Sequence, residues 1–178
     1  MQTEFEIKIL EIDILSIKKR LENLGAISKG SALQQRYVYD FNPAISEKRI
    51  RLRNNGKKTT LCIKHMTDDT KIDGMKELET DVGDFHTMRE ILKELGYIER
   101  AYQENRRTSY SYNSCDIEID ERPMIPPYLE IEGPSEEKVK ETLKILGLEN
   151  SLTTSETTSN VYKRYGIENL DSIKKLAF

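Results

Sequence analysis

The residues best suited to chemistry stand at the start of the chain, where Glu4, Glu6 and Lys8 alternate with Phe5, Ile7 and Ile9. A period of two puts both carboxylates and the ammonium on one face of a strand and the apolar residues on the other. Carboxylate oxygens are hard ligands suited to Mg²⁺ or Mn²⁺, and an ammonium beside them pairs with phosphate as a point charge. Taken alone, the triplet is explained as well by an edge strand showing charge to water. The acid–apolar–acid pattern returns, however, at Glu77-Leu78-Glu79 and Glu130-Ile131-Glu132. Each copy is followed by a helical stretch that closes on Leu-Gly, at Gly25, Gly96 and Gly147. One strand–helix unit is used three times, as an internal echo rather than a solenoid repeat.

The basic residues form a second set. Arg49, Arg51 and Arg53 share one face of an alternating strand, with Ile50 and Leu52 on the other. Asn54-Asn55-Gly56 is a turn signal, and Thr59 to Lys64 returns as the partner strand. Like charges held on one face repel unless something anionic lies against them. For Arg49 a solvated strand end is an equal reading. Arg106 and Arg107 fall in strand-like text from Glu104 to Tyr112, and Asp116, Glu118 and Asp120 share a face along Cys115–Asp120. Glu77 and Glu79 read as groups that position Arg or Lys side chains. His65 and His86 lack metal-ligand spacing, and Ser109, Ser111 and Ser114 have no His and Asp arrangement around them. Tyr37, Tyr39, Tyr110 and Tyr112 read as strand packing, with contact to a base or a thiamine-like ring as the alternative.

The elements that must position these groups follow from periodicity and punctuation. A strand from Glu4 to Leu10 leads into a helix from Asp13 to Leu24, with Asp13 as N-cap, Ile17, Leu21 and Leu24 inward, and Gly25 just past the end. A β-rich stretch from Ala32 to Asp40, the Arg hairpin and a polar loop from Thr67 to Gly74 come next. Then come a strand from Lys76 to Val82 and a helix from Asp84 to Leu95 with Phe85, Met88, Leu92 and Leu95 inward. Strand text follows at Tyr97–Ala101, Glu104–Tyr112 and Cys115–Asp120. Pro123, Pro126 and Pro127 make a stiff connector to a strand at Tyr128–Glu132 and a helix at Ser135–Leu146. Ser151–Ser159 reads as a loop, and the tail docks through Ile173, Leu176 and Phe178.

About eight strands and three main helices make an α+β chain. The apolar strand faces must meet the helices. Charges of both signs on the opposite faces then suit a closed lumen better than a solvent face, which would also carry scattered Thr, Ser and Gln. Composition narrows the partners. One-third of the 178 residues are charged, but the net charge is −3, so there is no basic coat for nucleic acid. No apolar run reaches the length of a membrane span, and the N-terminus lacks the shape of a signal peptide, which makes the cytoplasm the expected address. Cys62 and Cys115 are expected as free thiols. Oligomeric state is open, a homodimer included.

The order of these motifs resembles the CYTH superfamily, the triphosphate tunnel metalloenzymes. The resemblance rests on Glu4-x-Glu6-x-Lys8, Arg51-Leu52-Arg53, Lys64, Glu77-Leu78-Glu79, Arg106-Arg107 and the late acids Asp120, Glu130 and Glu132. It covers most of the chain, and Val161 to Gly166 resembles the end of the class IV adenylyl cyclase-like branch. It implies a single domain over residues 1–178: a closed eight-stranded antiparallel β-barrel, or tunnel, with helices packed outside. It also implies Lys8, Arg51, Arg53, Lys64, Arg106 and Arg107 as phosphate-binding residues. Glu4, Glu6, Glu118, Asp120, Glu130 and Glu132 become the candidate holders of Mg²⁺ or Mn²⁺. Glu4, Glu6, Lys8, Arg53, Asp120 and Glu130 become the candidate catalytic set. Two positions depart from the family pattern: Asn105 stands where a Lys is common, and Met75 where an Arg is. The implied ligand is ATP, thiamine triphosphate or tripolyphosphate, with neither nucleic acid nor membrane as partner. The implied activity is conversion of ATP to cyclic AMP and pyrophosphate, with an inorganic, thiamine or nucleoside triphosphatase as the alternative. A non-catalytic polyphosphate or nucleotide binding module is the second alternative.

Overall fold

The structure is a computed structural model that describes residues 1–178, leaving aside the side chains of Gln2 and Asp171. In chain order the elements are β1 (Gln2–Ile9), α1 (Ile14–Asn23), β2 (Ile27–Tyr39), β3 (Lys48–Asn54), β4 (Thr59–Met66), β5 (Met75–Val82), α2 (Phe85–Glu94) and β6 (Glu99–Tyr112). They continue with β7 (Cys115–Glu121), β8 (Tyr128–Gly133), α3 (Glu136–Ile145), β9 (Thr153–Thr154), α4 (Thr158–Arg164) and β10 (Lys175–Leu176). A 3-10 turn lies at Leu170–Ser172.

Eight strands run in the order β6-β2-β3-β4-β5-β1-β8-β7, and β7 pairs back onto β6, so the sheet closes on itself. Every pairing in that ring is antiparallel. This is the closed eight-stranded barrel expected from the motifs. β9 is an addition on β1, and β10 lies parallel to β6.

The alternation in each strand decides which side of the wall is apolar. Ile9, Ile117, Ile119, Leu129 and Ile131 face outward and bury against Ile17 and Leu21 of α1 and Val139 of α3. Around the barrel, Tyr39, Ile50 and Leu52 bury against Phe85 and Leu92 of α2. The tail covers a third patch, where Leu10, Ile125 and Tyr128 meet Val161, Tyr162, Leu170 and Leu176. With the oil outside under helices, the inward positions are left for charge.

The three repeated helices start and stop alike. Asp13, Asp84 and Ser135 each cap an N-terminus by accepting a hydrogen bond from the backbone N–H three residues on. Gly25, Gly96 and Gly147 follow the C-caps at φ of 71°, 86° and 64°, a backbone region where a Cβ is penalised. The Leu-Gly echo in the sequence is therefore a shared helix stop.

Five local expectations change. β2 begins at Ile27, not Ala32, and the two strand segments at Tyr97–Tyr112 are one strand. The cause is mutual: β2 and β6 pair along nearly their whole lengths, bending at register shifts near Ser28 and Tyr39. Leu95 is 68% exposed because it is the C-cap of α2, where the chain turns away from the barrel. Phe178 does not dock into the core; it is 60% exposed, with the Arg106 guanidinium 5.3 Å from its ring centre. The Ser151–Ser159 stretch is not all loop, since it holds β9 and the first turn of α4.

Candidate functional site in the barrel lumen

The lumen is a cavity of about 700 Å³ whose wall is mainly charged. β1 contributes Glu4, Glu6 and Lys8; β3 contributes Arg49, Arg51 and Arg53; β4 contributes Lys64; and β5 contributes Glu77 and Glu79. Arg107 comes from β6, Asp116 and Glu118 from β7, and Glu130 and Glu132 from β8. Strand register brings these groups to matching levels. Lys8 stands opposite Glu130, Lys64 opposite Glu77, Arg107 opposite Asp120, and Glu118 opposite Glu130.

Two ion-pair networks result. In the first, Lys8 Nζ lies 2.7 Å from Glu6 Oε1 and 3.4 Å from Glu130 Oε1. Arg107 donates through Nε to Asp120 Oδ1 at 3.0 Å and through Nη2 to Glu130 Oε2 at 2.6 Å, and it also contacts Glu118. In the second, Arg51 Nη2 lies 2.9 Å from Glu79 Oε2 and 3.5 Å from Glu77 Oε1. Arg53 Nη2 is 3.3 Å from Glu79 Oε2, and Lys64 Nζ is 3.4 Å from Glu4 Oε2 and touches Glu77. Glu77 and Glu79 thus orient the cations of β3 and β4. Both networks are partly dry, so each charge depends on its partner.

The electrostatics follow the partners. Burial opposes the Lys8 ammonium, but Glu6 and Glu130 outweigh it and hold its pKa above the ordinary lysine range. Burial also opposes the Glu130 carboxylate, yet Arg107 and Lys8 keep its pKa far below the usual range. Burial, then Arg51 and Arg107, push the Arg53 guanidinium down to about 10. Burial, then Arg51, lower Lys64 as well. Buried cations that also lie beside other cations are better satisfied when an anion joins them.

The acids of β1 and β8 show the opposite imbalance. Glu6 and Glu132 are directly opposite in register. Packed walls thin the hydration of the Glu132 carboxyl, and Glu4, Glu130 and Glu6 add repulsion, so it is pushed up to about 7. Burial first, then the neighbouring carboxylate Glu6, also raise Glu4 against the pull of Lys64. Carboxylates with surplus negative charge on adjoining strands suit a hard divalent cation such as Mg²⁺ or Mn²⁺. Among the described residues, the ligand atoms that lie within 4.8 Å of one another are those of Cys62, Glu77 and Glu79. They fit a cation less well, because Arg51, Arg53 and Lys64 already neutralise both carboxylates and burial raises the thiol pKa. Cys62 and Cys115 are free.

The structure divides the expected site residues. Glu4, Glu6, Lys8, Arg51, Arg53, Lys64, Arg107, Glu118, Glu130 and Glu132 line the cavity. Asp120 does not: it is fully buried behind Arg107 and Asn105, which hold its carboxylate from two sides. Arg106 is a correction. Being next to the inward Arg107, it must point out of the barrel, where it is half exposed and 3.8 Å from Glu121. The tyrosines are packing groups: Tyr37 stacks on Phe85, and Tyr39 and Tyr110 lie in the outer cores. Two lumen cations escaped the sequence reading, Arg36 of β2 and Arg122 just after β7. Arg36 sits in an alternating stretch with Gln34 and Val38, but only register with Arg53 reveals its face.

A closed antiparallel barrel with helices outside and ion-paired lysines, arginines and carboxylates within defines the tunnel class of domain. The chain belongs to the CYTH domain family, whose model matches residues 2–164. Among solved structures, a protein from Pyrococcus furiosus is 25% identical with a TM-score of 0.73, covering 88% of this chain and 98% of its own. A candidate adenylate cyclase from Vibrio parahaemolyticus shares the fold at a TM-score of 0.77 and 12% identity, covering 91% of this chain and 98% of its own. A Hippeastrum protein described as a candidate adenylyl cyclase with a dominant triphosphatase activity shares it at 0.61 and 16% identity, covering 93% and 96%. A search of curated proteins finds no match. No helix is long and apolar enough to cross a membrane among the described residues.

Proposed function

We propose that this protein is a metal-dependent enzyme acting on the phosphate chain of a triphosphate held in the barrel lumen. The observation that carries the reading is the separation of charge along one cavity. Burial, then Arg51, lower Arg53 and Lys64 on one side, while burial and neighbouring carboxylates raise Glu4 and Glu132 on the other. A polyanion offsets the first excess and a divalent cation the second.

Lys8, Arg51, Arg53, Lys64 and Arg107 are the groups that would bind and orient phosphate oxygens, the arginines bidentately. Glu77, Glu79, Glu118 and Asp120 hold those side chains in place. A divalent cation held by Glu4, Glu6 and Glu132, with Glu130 beside them, would supply neutralisation of charge on the phosphate oxygens. The chain's own contribution is an in-line track lined by fixed cations, the positioning that phosphoryl chemistry needs.

Hydrolysis of a triphosphate is the reading the geometry supports best, because no aromatic side chain lines the cavity among the described residues, and so none is placed to stack on a base. The class IV adenylyl cyclase-like reaction is the second reading. Met66 and Met75, cross-strand neighbours on the cavity wall, offer an apolar patch beside Glu4 on which a base would lie. The test is turnover of ATP and of tripolyphosphate with Mg²⁺ and with Mn²⁺, measuring orthophosphate, pyrophosphate and cyclic AMP separately. Orthophosphate from tripolyphosphate supports hydrolysis, and cyclic AMP with pyrophosphate supports the cyclase. Binding without any turnover would reduce the protein to a polyphosphate or nucleotide binding module.

A further inference from the structure

The cations of the two networks each have a carboxylate. Arg36 does not. Its side chain is buried and lines the cavity, and its one hydrogen-bond acceptor is the neutral Oδ1 of Asn105. Its Nε has no partner. On the adjoining strand Arg53 is its register partner, so two guanidinium groups project side by side into the same lumen. Arg53 Nε is likewise without a partner.

A buried charge without a counterion costs several kcal/mol in general, and like charges directly opposite on paired strands add to that cost. Asn105 does not relieve it, because its amide is committed: Nδ2 donates to Asp120 Oδ1 at 2.5 Å while Oδ1 takes the Arg36 N–H. Burial first, then Arg122 and Arg51, drive the Arg36 pKa well down from its ordinary value, with Asp120 pulling against them. An anion from outside the protein would satisfy Arg36 in the conformation that the fold gives it.

We propose that Arg36 is a phosphate-binding residue of the lumen, pairing with Arg53 to grip one phosphate group of an oligophosphate. The assignment rests on the triphosphate reading above and adds to it a residue from β2, a strand that otherwise contributes no cation to the cavity wall. An unpaired, buried Arg beside Arg53 also leaves positive charge in that corner of the lumen which no carboxylate of the described residues meets. Tripolyphosphate should therefore bind more tightly than pyrophosphate, and the difference should depend on Arg36.

The test uses sodium tripolyphosphate and sodium pyrophosphate, each with Mg²⁺, titrated into the full chain by calorimetry. Wild type, Arg36→Gln and the double variant Arg36→Gln/Asn105→Lys are compared, with melting temperatures taken without ligand. Arg36→Gln keeps a donor for Asn105 and removes the charge. It should weaken tripolyphosphate roughly ten- to hundredfold, the range for one charged hydrogen-bonding partner. Pyrophosphate should weaken less, and the unliganded melting temperature should hold or rise. Lys at position 105 reaches the same corner from β6 and should recover most of the lost affinity. Equal tripolyphosphate affinity in wild type and Arg36→Gln would overturn the assignment while leaving the triphosphate reading intact. So would an unliganded variant that melts far below wild type, which would make Arg36 a structural cation. A wild type that binds neither salt would overturn the triphosphate reading, and this assignment with it.

Discussion

Glu6 and Glu132 stand directly opposite each other on β1 and β8, two carboxylates at one level of the lumen. Lys8 neutralises Glu6, at 2.7 Å, and no cation is paired with Glu132 among the described residues. Burial first, then Glu4, Glu130 and Glu6, push the Glu132 carboxyl up to about 7 from an ordinary 4.5. A folded-state pKa above the unfolded one means that the native protein binds the extra proton. Its stabilising effect is complete below about 4.5 and is lost as pH rises through about 7. The metal-free protein should therefore melt lower at pH 8 than at pH 5 on this account. Glu132→Gln should flatten that slope, melting above wild type at pH 8 and level with it near pH 4.5. Mg²⁺ at pH 8 should raise the wild-type melting temperature and have a smaller effect on the variant. Identical melting curves against pH for the two proteins would remove Glu132 from the acid cluster.

Arg53 lies on the opposite side of the charge balance. Among the described residues its carboxylate contact is Glu79, already shared with Arg51. A ligand that binds only the folded state at a hundredfold excess over Kd stabilises by about 2.7 kcal/mol. For a chain of this length that is a rise of roughly 5–10 °C. Loss of one charge-assisted contact costs on the order of 1.5–3 kcal/mol. Arg53→Ala should thus cancel most of the thermal shift given by tripolyphosphate with Mg²⁺, at a concentration that shifts wild type fully. Equal shifts in the two proteins would show that Arg53 does not touch the phosphates.

The parts legible in the sequence are those governed by local periodicity. Strict alternation at Glu4–Ile9 and Arg49–Arg53 placed charge on one face of each strand, and caps such as Asp13 and Asp84 marked helix starts. What alternation leaves open is pairing. Arg36 belongs to the lumen because β2 is in register with β3, a long-range fact with no local signature. Asp120 shows the same gap: its parity is right, but Arg107 and Asn105 close over it, and sequence distance hides that contact. Adjacency groups Arg106 with Arg107, though neighbours on a strand face opposite ways.

The outer face carries the stability. Leu52 is fully buried on the convex side of β3, in the cluster with Phe85 and Leu92 of α2. Leu52→Ala removes packing there and leaves a cavity, at a cost of about 2–5 kcal/mol. Its neighbours Arg51 and Arg53 keep their inward direction, so the folded variant should retain the tripolyphosphate shift from its lower starting temperature. Urea unfolding and a thermal melt measure the two halves of this expectation. A lost ligand shift in a folded protein would mean that the wall and the lumen are not separable in this way.

Arg106 and Arg107 give the sharpest contrast, since one bond along the backbone separates a surface pair from the deepest ion network. Arg107 serves Asp120, Glu130 and Glu118 together. Arg107→Met leaves three carboxylates facing one another in a dry corner. Removing one partner of a buried ion pair typically costs about 3–5 kcal/mol. Arg106→Ala removes a solvent-exposed pair at 3.8 Å, worth on the order of 0–1 kcal/mol. The pH dependence separates the two further. With Arg107 present, Asp120 and Glu130 are held below the usual carboxylate range by it, and their stabilisation fades as pH falls. Without it, burial and mutual repulsion raise the same carboxyls, so protonation relieves the fault and the deficit of Arg107→Met against wild type should shrink toward pH 4. Urea midpoints at pH 7.5 and pH 4.5 for wild type and both variants decide the matter. A deficit for Arg107→Met that is small at pH 7.5, or that grows on acidification, would show that the three carboxylates do not depend on this guanidinium.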